Sequence, residues 1–323
     1  MAKLNGYKLD KYTNYFMEAI KIHNSFDPWA AWLLKNRHGG SEEHHRQVIE
    51  HMKPVRDRVL TNAHLKLGET LLDVGTGDGL IGFGAIEKVG ADGKVIFSDI
   101  SEKLLDVCKE CAMETGVIER CEFLKADAID LSAVESESID AVTTRSVIIY
   151  VQEKQRAFEE FFRVLKKGGR VSMFEPIAKL GFQFVPREDY YLGYDMRPIK
   201  DLRKKVIEAN QTKHDSQSTM GDFDERDLVK MLEKAGFGFI HLELDVTLGN
   251  AGFMSGNWEV FYNSSPNPLV STLREQVEAA LSAEEQERFI AHLKPLVETN
   301  TGRTAQCLAY ITAVKEDWGT LYT

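Results

Sequence analysis

The chain has 323 residues, 43% hydrophobic and 28% charged, with 40 basic against 50 acidic side chains and a formal net charge of −10. That length suggests about two domains of about 150 residues each, and the near-average composition excludes wholesale disorder. The acidic balance speaks against a nucleic-acid partner, no apolar run reaches the ~18 residues of a membrane span, and four cysteines make no disulfide scaffold here.

The start, Met1 to Lys8, lacks the apolar segment of a secretory leader, so a cytoplasmic protein with a small-molecule site is expected. Tyr12, Tyr15, Phe16, Ala19, Ile20 and His23 recur at helical spacing. Asp27-Pro28 reads as an N-cap with proline in the first turn, Trp29, Trp32 and Leu33 as a buried stripe, and Gly39-Gly40 as the stop. A third helix opens at Ser41, and Pro54 inside it predicts a kink or a restart. From about residue 68 strands alternate with helices: strands at 70–74, 94–99, 122–125, 139–144 and 170–174, helices at 80–89, 101–115 and 154–165. This rhythm predicts an α/β fold with a doubly wound, mostly parallel Rossmann-like sheet. The segment 178–222 shows no clean periodicity. Leu228, Val229, Met231, Leu232 and Ala235 then mark a helix closed by Gly236, and Ile240, Leu242, Leu244 and Val246 alternate as a sixth strand. Two helices fill 268–300, the second opened by a capping box at Ser282 to Glu285, and 306–314 is a last strand.

Asp73-Val74-Gly75-Thr76-Gly77-Asp78-Gly79 joins the first strand to its helix. Its glycines permit positive φ and leave the backbone open to a ligand. Asp99 ends the second strand, where a carboxylate can accept both hydroxyls of a ribose, so a nucleoside-containing cofactor is the default. Gly77 to Gly82 also satisfies the dinucleotide pattern, which keeps an NAD(P)-dependent oxidoreductase as the alternative. Asp73 and Asp78, however, repel phosphates and suit the cationic S-adenosylmethionine.

Five motifs in order make the stretch 70–176 resemble the class I S-adenosylmethionine-dependent methyltransferases. They are Leu72 to Gly79, Asp99, Asp127 within Lys125-Ala126-Asp127-Ala128, Ser138-Ile139-Asp140-Ala141-Val142, and Phe162 to Arg170. The resemblance implies S-adenosylmethionine as cofactor, S-adenosylhomocysteine as product, and an antiparallel last strand beside the sixth. Carried over residue by residue, Gly75, Thr76 and Gly77 pass close to the methionine part and Asp73 anchors its amino group, directly or through water. Asp99 takes the ribose, Ile100 packs on adenine, Asp127 with Ala128 serves its amine, and Arg145 lines the methionine end and the acceptor. For each acid a helix N-cap or solvated strand end is the plain structural alternative.

Methyl transfer is an in-line displacement that needs alignment and dryness more than a strong base. Methyltransferases resembling those that act on amide or base nitrogens carry Asn/Asp-Pro-Pro-aromatic after the fourth strand; Thr144-Arg145-Ser146-Val147-Ile148 stands there instead, which with the charge excludes nucleic acid. Arg145, Glu175, His38 and Tyr150 are the candidates for the acceptor and catalysis. Arg145 binds an acceptor carboxylate or pairs with a nearby acid; Glu175 orients an acceptor or caps a helix; Tyr150 lines the pocket or is structural. The turn Arg37-His38-Gly39-Gly40 puts two cationic side chains beside glycines, to close over the cofactor carboxylate or simply to end a helix. His44 and His45 are adjacent, about 100° apart on a helix, and the histidines have no metal-ligand spacing, so no metal is expected. Cys108, Cys111 and Cys121 raise arsenite methylation, but their apolar neighbours favour core thiols.

The expected organisation is an N-terminal helical cap, 1–65, and a methyltransferase domain, 66–323, whose insertions 178–222 and 250–303 cover the acceptor site. The acceptor is a small molecule or peptide, with no membrane; a homo-oligomer stays open, as does a non-catalytic binding module.

Overall fold

The computed structural model describes residues 27–214, 219–250, 256–268 and 270–316. The helix expected around 12–23 lies outside the described residues. Five short apolar segments, β1 (Thr70–Val74), β2 (Lys94–Asp99), β3 (Cys121–Lys125), β4 (Ile139–Arg145) and β5 (Leu165–Pro176), pair in parallel. A two-residue hairpin follows, β6 (Tyr190–Tyr191) with β7 (Tyr194–Asp195). β8 (Phe239–Asn250) and β9 (Arg303–Val314) then complete the main sheet, antiparallel, in the order 3-2-1-4-5-9-8. Leu71, Leu72, Val95, Phe97, Ala141 and Val142 have no exposed surface, as strands covered on both faces require. The strand order reverses between β1 and β4, and ligands of such sheets bind at the carboxyl ends beside that point.

One face carries α2 (Glu42–Asn62), α3 (Leu80–Val89) and α4 (Glu102–Glu114): Val59, Leu60, Ile86 and Leu105 share a core with Leu71, Val95 and Phe97. The other carries α5 (Lys154–Val164), whose Phe158 and Phe161 pack with Leu72, Val74 and Val142. α2 runs unbroken through Pro54, so the expected restart does not occur. A proline removes one intrahelical donor, which a 21-residue helix packed along one face of the sheet tolerates. Arg170 of β5 holds the end of this helix, donating to the Ala63 and His64 carbonyls at 2.6 and 2.9 Å. Among the described residues the N-terminal segment therefore divides: 42–62 belongs to the sheet's own core, and α1 (Pro28–Leu34) with the turn after it reaches the glycine loop.

The segment 178–222 is more regular than its sequence suggests. It holds α6 (Ala178–Phe184), the β6–β7 hairpin and α7 (Lys200–His214). Prolines 186 and 198 interrupt the pattern, and in the part of α7 that follows Leu202 and Val206 are apolar positions among basic residues. α8 (Glu225–Ala235) returns the chain to the sheet, with Leu228 and Leu232 in the core that α5 shares. α9 (Trp258–Asn263), α10 (Leu273–Ala280) and α11 (Ala283–Glu298) come from the second insertion. Met196, Leu202 and Val206 of the first insertion and Phe261, Leu273, Val277, Phe289 and Leu293 of the second form one apolar core. The two insertions are thus a single helical layer, unreadable from either alone.

Candidate active site

The loop after β1 turns on three left-handed glycines, Gly75, Gly77 and Gly79, with φ of +62°, +55° and +72°. A Cβ at Gly75 would stand 2.3 Å from Val147 Cγ2, so only glycine fits. The loop is tied to the end of β2 by two bonds. Thr76 N–H donates to the Ser98 carbonyl at 2.9 Å, and Gly77 N–H to Asp99 Oδ2 at 2.9 Å. Asp99 Oδ1 accepts from Ser101 N–H at 2.9 Å, which aims the carboxylate at the loop mouth. Ile100 beside it is 42% exposed, a large apolar side chain left uncovered where a flat base would lie. Asp127 is exposed, with Oδ1 accepting from Ile129 N–H, while Ala128 is buried beneath.

Asp73 braces the loop from within. It is buried, with Oδ1 accepting from Thr143 Oγ1 (2.8 Å) and Oδ2 from Thr76 Oγ1 (2.6 Å) and Gly82 N–H (3.1 Å). Burial lifts its carboxyl to about 6 against these donors. Through these three internal donors it holds the shape of the glycine loop.

Glu175 is likewise an internal cap. Oε1 accepts from Val147 and Ile148 N–H, both at 2.9 Å, and Oε2 from Ile149 N–H at 3.2 Å. These are donors at the start of the 3-10 turn Ile148–Tyr150. Glu175 is fully buried, and burial raises its carboxyl to about 7. It positions Tyr150 and the Val147 side chain behind Gly75; its expected contact with an acceptor gives way to this capping role.

Around Tyr150 the sequence candidates converge. Trp29 and Trp32 stand edge-on to its ring at 5.2 and 6.2 Å, and Leu33 lies 3.1 Å from where a Gly77 Cβ would be. Arg145 Nη2 reaches Asp78 Oδ1 at 3.3 Å, so this arginine pairs with an acid inside the site. Arg37 lies over the Trp32 ring at 5.2 Å and is half-buried; burial and the neighbouring Arg145 both press against its charge. His38 corrects the expectation of two cations in this turn. It is buried, stacks on His45 at 4.2 Å, and burial first, then His45 and Arg37, drop its imidazole to about 2. His45 falls to about 4, chiefly by burial. Both rings are neutral at pH 7, and Arg37 alone carries the positive charge of the turn.

Several contacts had weak sequence signals. Asp27 caps α1 through Trp29 and Ala30 N–H, and also accepts from Ser101 Oγ at 2.7 Å, tying the helix to the residue that holds Asp99. Trp32 Nε1 donates to the Ser265 carbonyl at 2.9 Å, tying the same helix to the second insertion. Ser101 opens the helix that the sequence places at 101–115, and its side chain caps it; Ser265 carries no signal. Cys108 and Cys111 are core thiols, and burial pushes Cys111 up to about 12.

The mixed sheet, in the order 3-2-1-4-5-9-8 with an antiparallel β9 beside β5, is typical of class I S-adenosylmethionine-dependent methyltransferases, and the glycine loop and the acid ending β2 agree with that class. The profile of the ubiE/COQ5 methyltransferase family matches residues 48–255, and the chain belongs to that family. A ubiquinone/menaquinone biosynthesis C-methyltransferase UbiE from Brucella abortus is 31% identical over 194 residues, 60% of this chain and 70% of the relative. Another UbiE, from Xylella fastidiosa, is 28% identical over 173 residues, 50% and 68% of the two chains. Among solved structures, the YcgJ protein of Bacillus subtilis superposes with a TM-score of 0.50 at 15% identity, covering 83% of this chain and 99% of that one, a likeness of fold. Membership decides between the two cofactor readings: S-adenosylmethionine is the methyl donor and S-adenosylhomocysteine the product, and the match from Gly77 to Gly82 is no dinucleotide site. The family implies a small-molecule acceptor. No helix among the described residues is long and apolar enough to cross a membrane.

Proposed function

We propose that the protein methylates a carbon atom of a small-molecule acceptor held between the glycine loop and the helical cover. The observation that carries this reading is the convergence of Arg37, Arg145 and Tyr150 under Trp29 and Trp32, directly beside the loop. In this reading Gly75, Thr76 and Gly77 present their backbone to the methionine part, with Asp73 acting through the loop it braces. Asp99 accepts from the ribose hydroxyls, Ile100 packs on adenine, and the oxygen of Asp127 not used by Ile129 faces the adenine amine. Arg145 and Arg37 neutralise the cofactor carboxylate. The loop fits such a ligand, because Ile100 is uncovered and Asp99 spends only part of its accepting capacity internally.

When bound, the cofactor supplies an electrophilic methyl on a sulfonium sulfur. The chain's own part is alignment and exclusion of water: Leu33, Trp29 and Trp32 close the crevice, and Glu175 fixes the turn that carries Tyr150. His38 and His45, neutral at pH 7, add no cation that would oppose the sulfonium. The names of the relatives support carbon as the methylated atom.

Two measurements test the reading. S-adenosylhomocysteine is titrated calorimetrically, and methyl-13C-labelled cofactor is incubated with a metabolite extract. The expected outcome is label in a small molecule with the carbon-13 shift of a C-methyl group, stable to alkali. Label released as methanol, or found on nitrogen, refutes carbon methylation; label on polypeptide refutes the small-molecule acceptor.

A further inference from the structure

The helical cover buries a cation that no acid among the described residues balances. Arg203, in the first turn of α7, is 8% exposed, and its guanidinium stands 4.8 Å over the Tyr191 ring. Its Nε is buried without a hydrogen-bond partner, and no carboxylate pairs with it among the described residues. The charged and titratable groups that face it are Tyr191 and a second cation, Arg187. Its neighbours on α7 contrast with it: Lys200 pairs with Asp189, Lys204 with Glu208 and Lys205 with Glu285.

An unpaired guanidinium in an apolar layer is unfavourable, and an aliphatic side chain of that length would fill the space without the penalty. A planar fork of donors matches a carboxylate or phosphate, which would supply the missing charge. The position also communicates with the crevice. Tyr191 stands edge-on to Phe261 at 5.9 Å, and Val260, the preceding residue of α9, backs Gly39 so closely that a Cβ there would lie 2.6 Å from its carbonyl. Gly39 follows Arg37 and His38, so α9 is a wall shared by Arg203's surroundings and the turn beside the glycine loop.

We propose that Arg203, with Arg187 beside it, is an oxyanion site of the cover and takes the acidic group of the methyl acceptor. This rests on the reading that the cover holds the acceptor. The site recognises a carboxylate or a phosphate by the same fork.

The full chain, saturated with S-adenosylhomocysteine in chloride buffer, is titrated calorimetrically with inorganic phosphate and, separately, with benzoate. Saturable binding is expected, weakened at least tenfold in Arg203→Met and partly retained in Arg203→Lys; the tighter of the two probes identifies the acidic group. In the same buffer Arg203→Met melts at or above the wild type, and phosphate raises the midpoint of the wild type alone. No saturable binding of either probe, equal binding by Arg203→Met, or a variant melting well below wild type without anion overturns the site. Phosphate is also expected to inhibit methyl incorporation into the extract by the wild type and not by Arg203→Met. Binding without inhibition overturns the link to the acceptor alone. A failure to label any small molecule counts against the functional reading, while the anion titration still decides the site.

Discussion

Asparagine at position 99 keeps the shape at the end of β2 and removes its charge. The carboxylate spends Oδ1 on Ser101 N–H and Oδ2 on Gly77 N–H, each at 2.9 Å. A carboxylate accepts about four hydrogen bonds, which leaves about two acceptor positions for a ribose diol. Charge-assisted bonds contribute about 1.5–3 kcal/mol each and neutral ones about 0.5–1.5. Two such bonds together lose about 2 kcal/mol, roughly thirtyfold in Kd. The amide adds a second penalty, because its NH2 must face either the Ser101 or the Gly77 N–H, donor against donor, and the glycine loop shifts. Asp99→Asn is therefore expected to bind S-adenosylhomocysteine at least about thirtyfold more weakly. Calorimetric titration measures it, with the thermal midpoint as the control for folding. A dissociation constant within about threefold of wild type in a folded variant would refute the assignment of Asp99.

Gly75→Ala places a Cβ 2.3 Å from Val147 Cγ2 at a φ of +62°, so it is expected to abolish S-adenosylhomocysteine binding while circular dichroism keeps the sheet signal; ordinary binding would contradict the loop geometry. Trp32→Phe removes the donor to the Ser265 carbonyl and leaves that acceptor buried, costing about 1–3 kcal/mol. Urea unfolding reads the loss and hydrogen exchange places it in α1; an unchanged urea midpoint argues against this tie. For Glu175 the folded carboxyl stands at about 7 against an ordinary 4.5, so the folded state binds the extra proton between those values. Its contribution is complete below about 4.5 and is lost as pH rises through 7, about 3 kcal/mol in all. His38 and His45, depressed on folding, drive stability the other way up to their ordinary 6.5, so the wild-type curve alone is no test. Glu175→Gln, by comparison, should gain stability relative to wild type as pH rises from 4.5 to 7; a constant difference would exclude the buried titration.

Strand and helix order was legible because it rests on local signals. The apolar segments from Thr70 to Phe174, the capping box at Ser282, and the glycines of the first loop each act within a few residues. Even so, β8 and β9 reach 250 and 303, beyond the expected 240–246 and 306–314. Past Val246 the strand is exposed, and backbone pairing alone extends it, which leaves no alternation to read. The α7 helix went unseen for a related reason: its apolar positions Leu202 and Val206 meet a core completed by residues 258–297, while α6 sets Leu180 against the core of the sheet.

The sequence by itself determined the fold class, the cofactor loop and the acid that ends β2, since all three are written in periodicity and turn chemistry. It did not determine what each polar group does. Asp73 meets Thr143 across 70 residues, Glu175 meets Val147 across 28, and Trp32 meets Ser265 across 233. A buried carboxylate or indole takes whichever donor or acceptor packing brings near, and no local pattern encodes that choice. Tertiary structure therefore supplied Asp73 and Glu175 with internal donors and turned one expected cation, His38, into a neutral stacked ring. It also left Arg203 buried in the cover with no carboxylate beside it among the described residues.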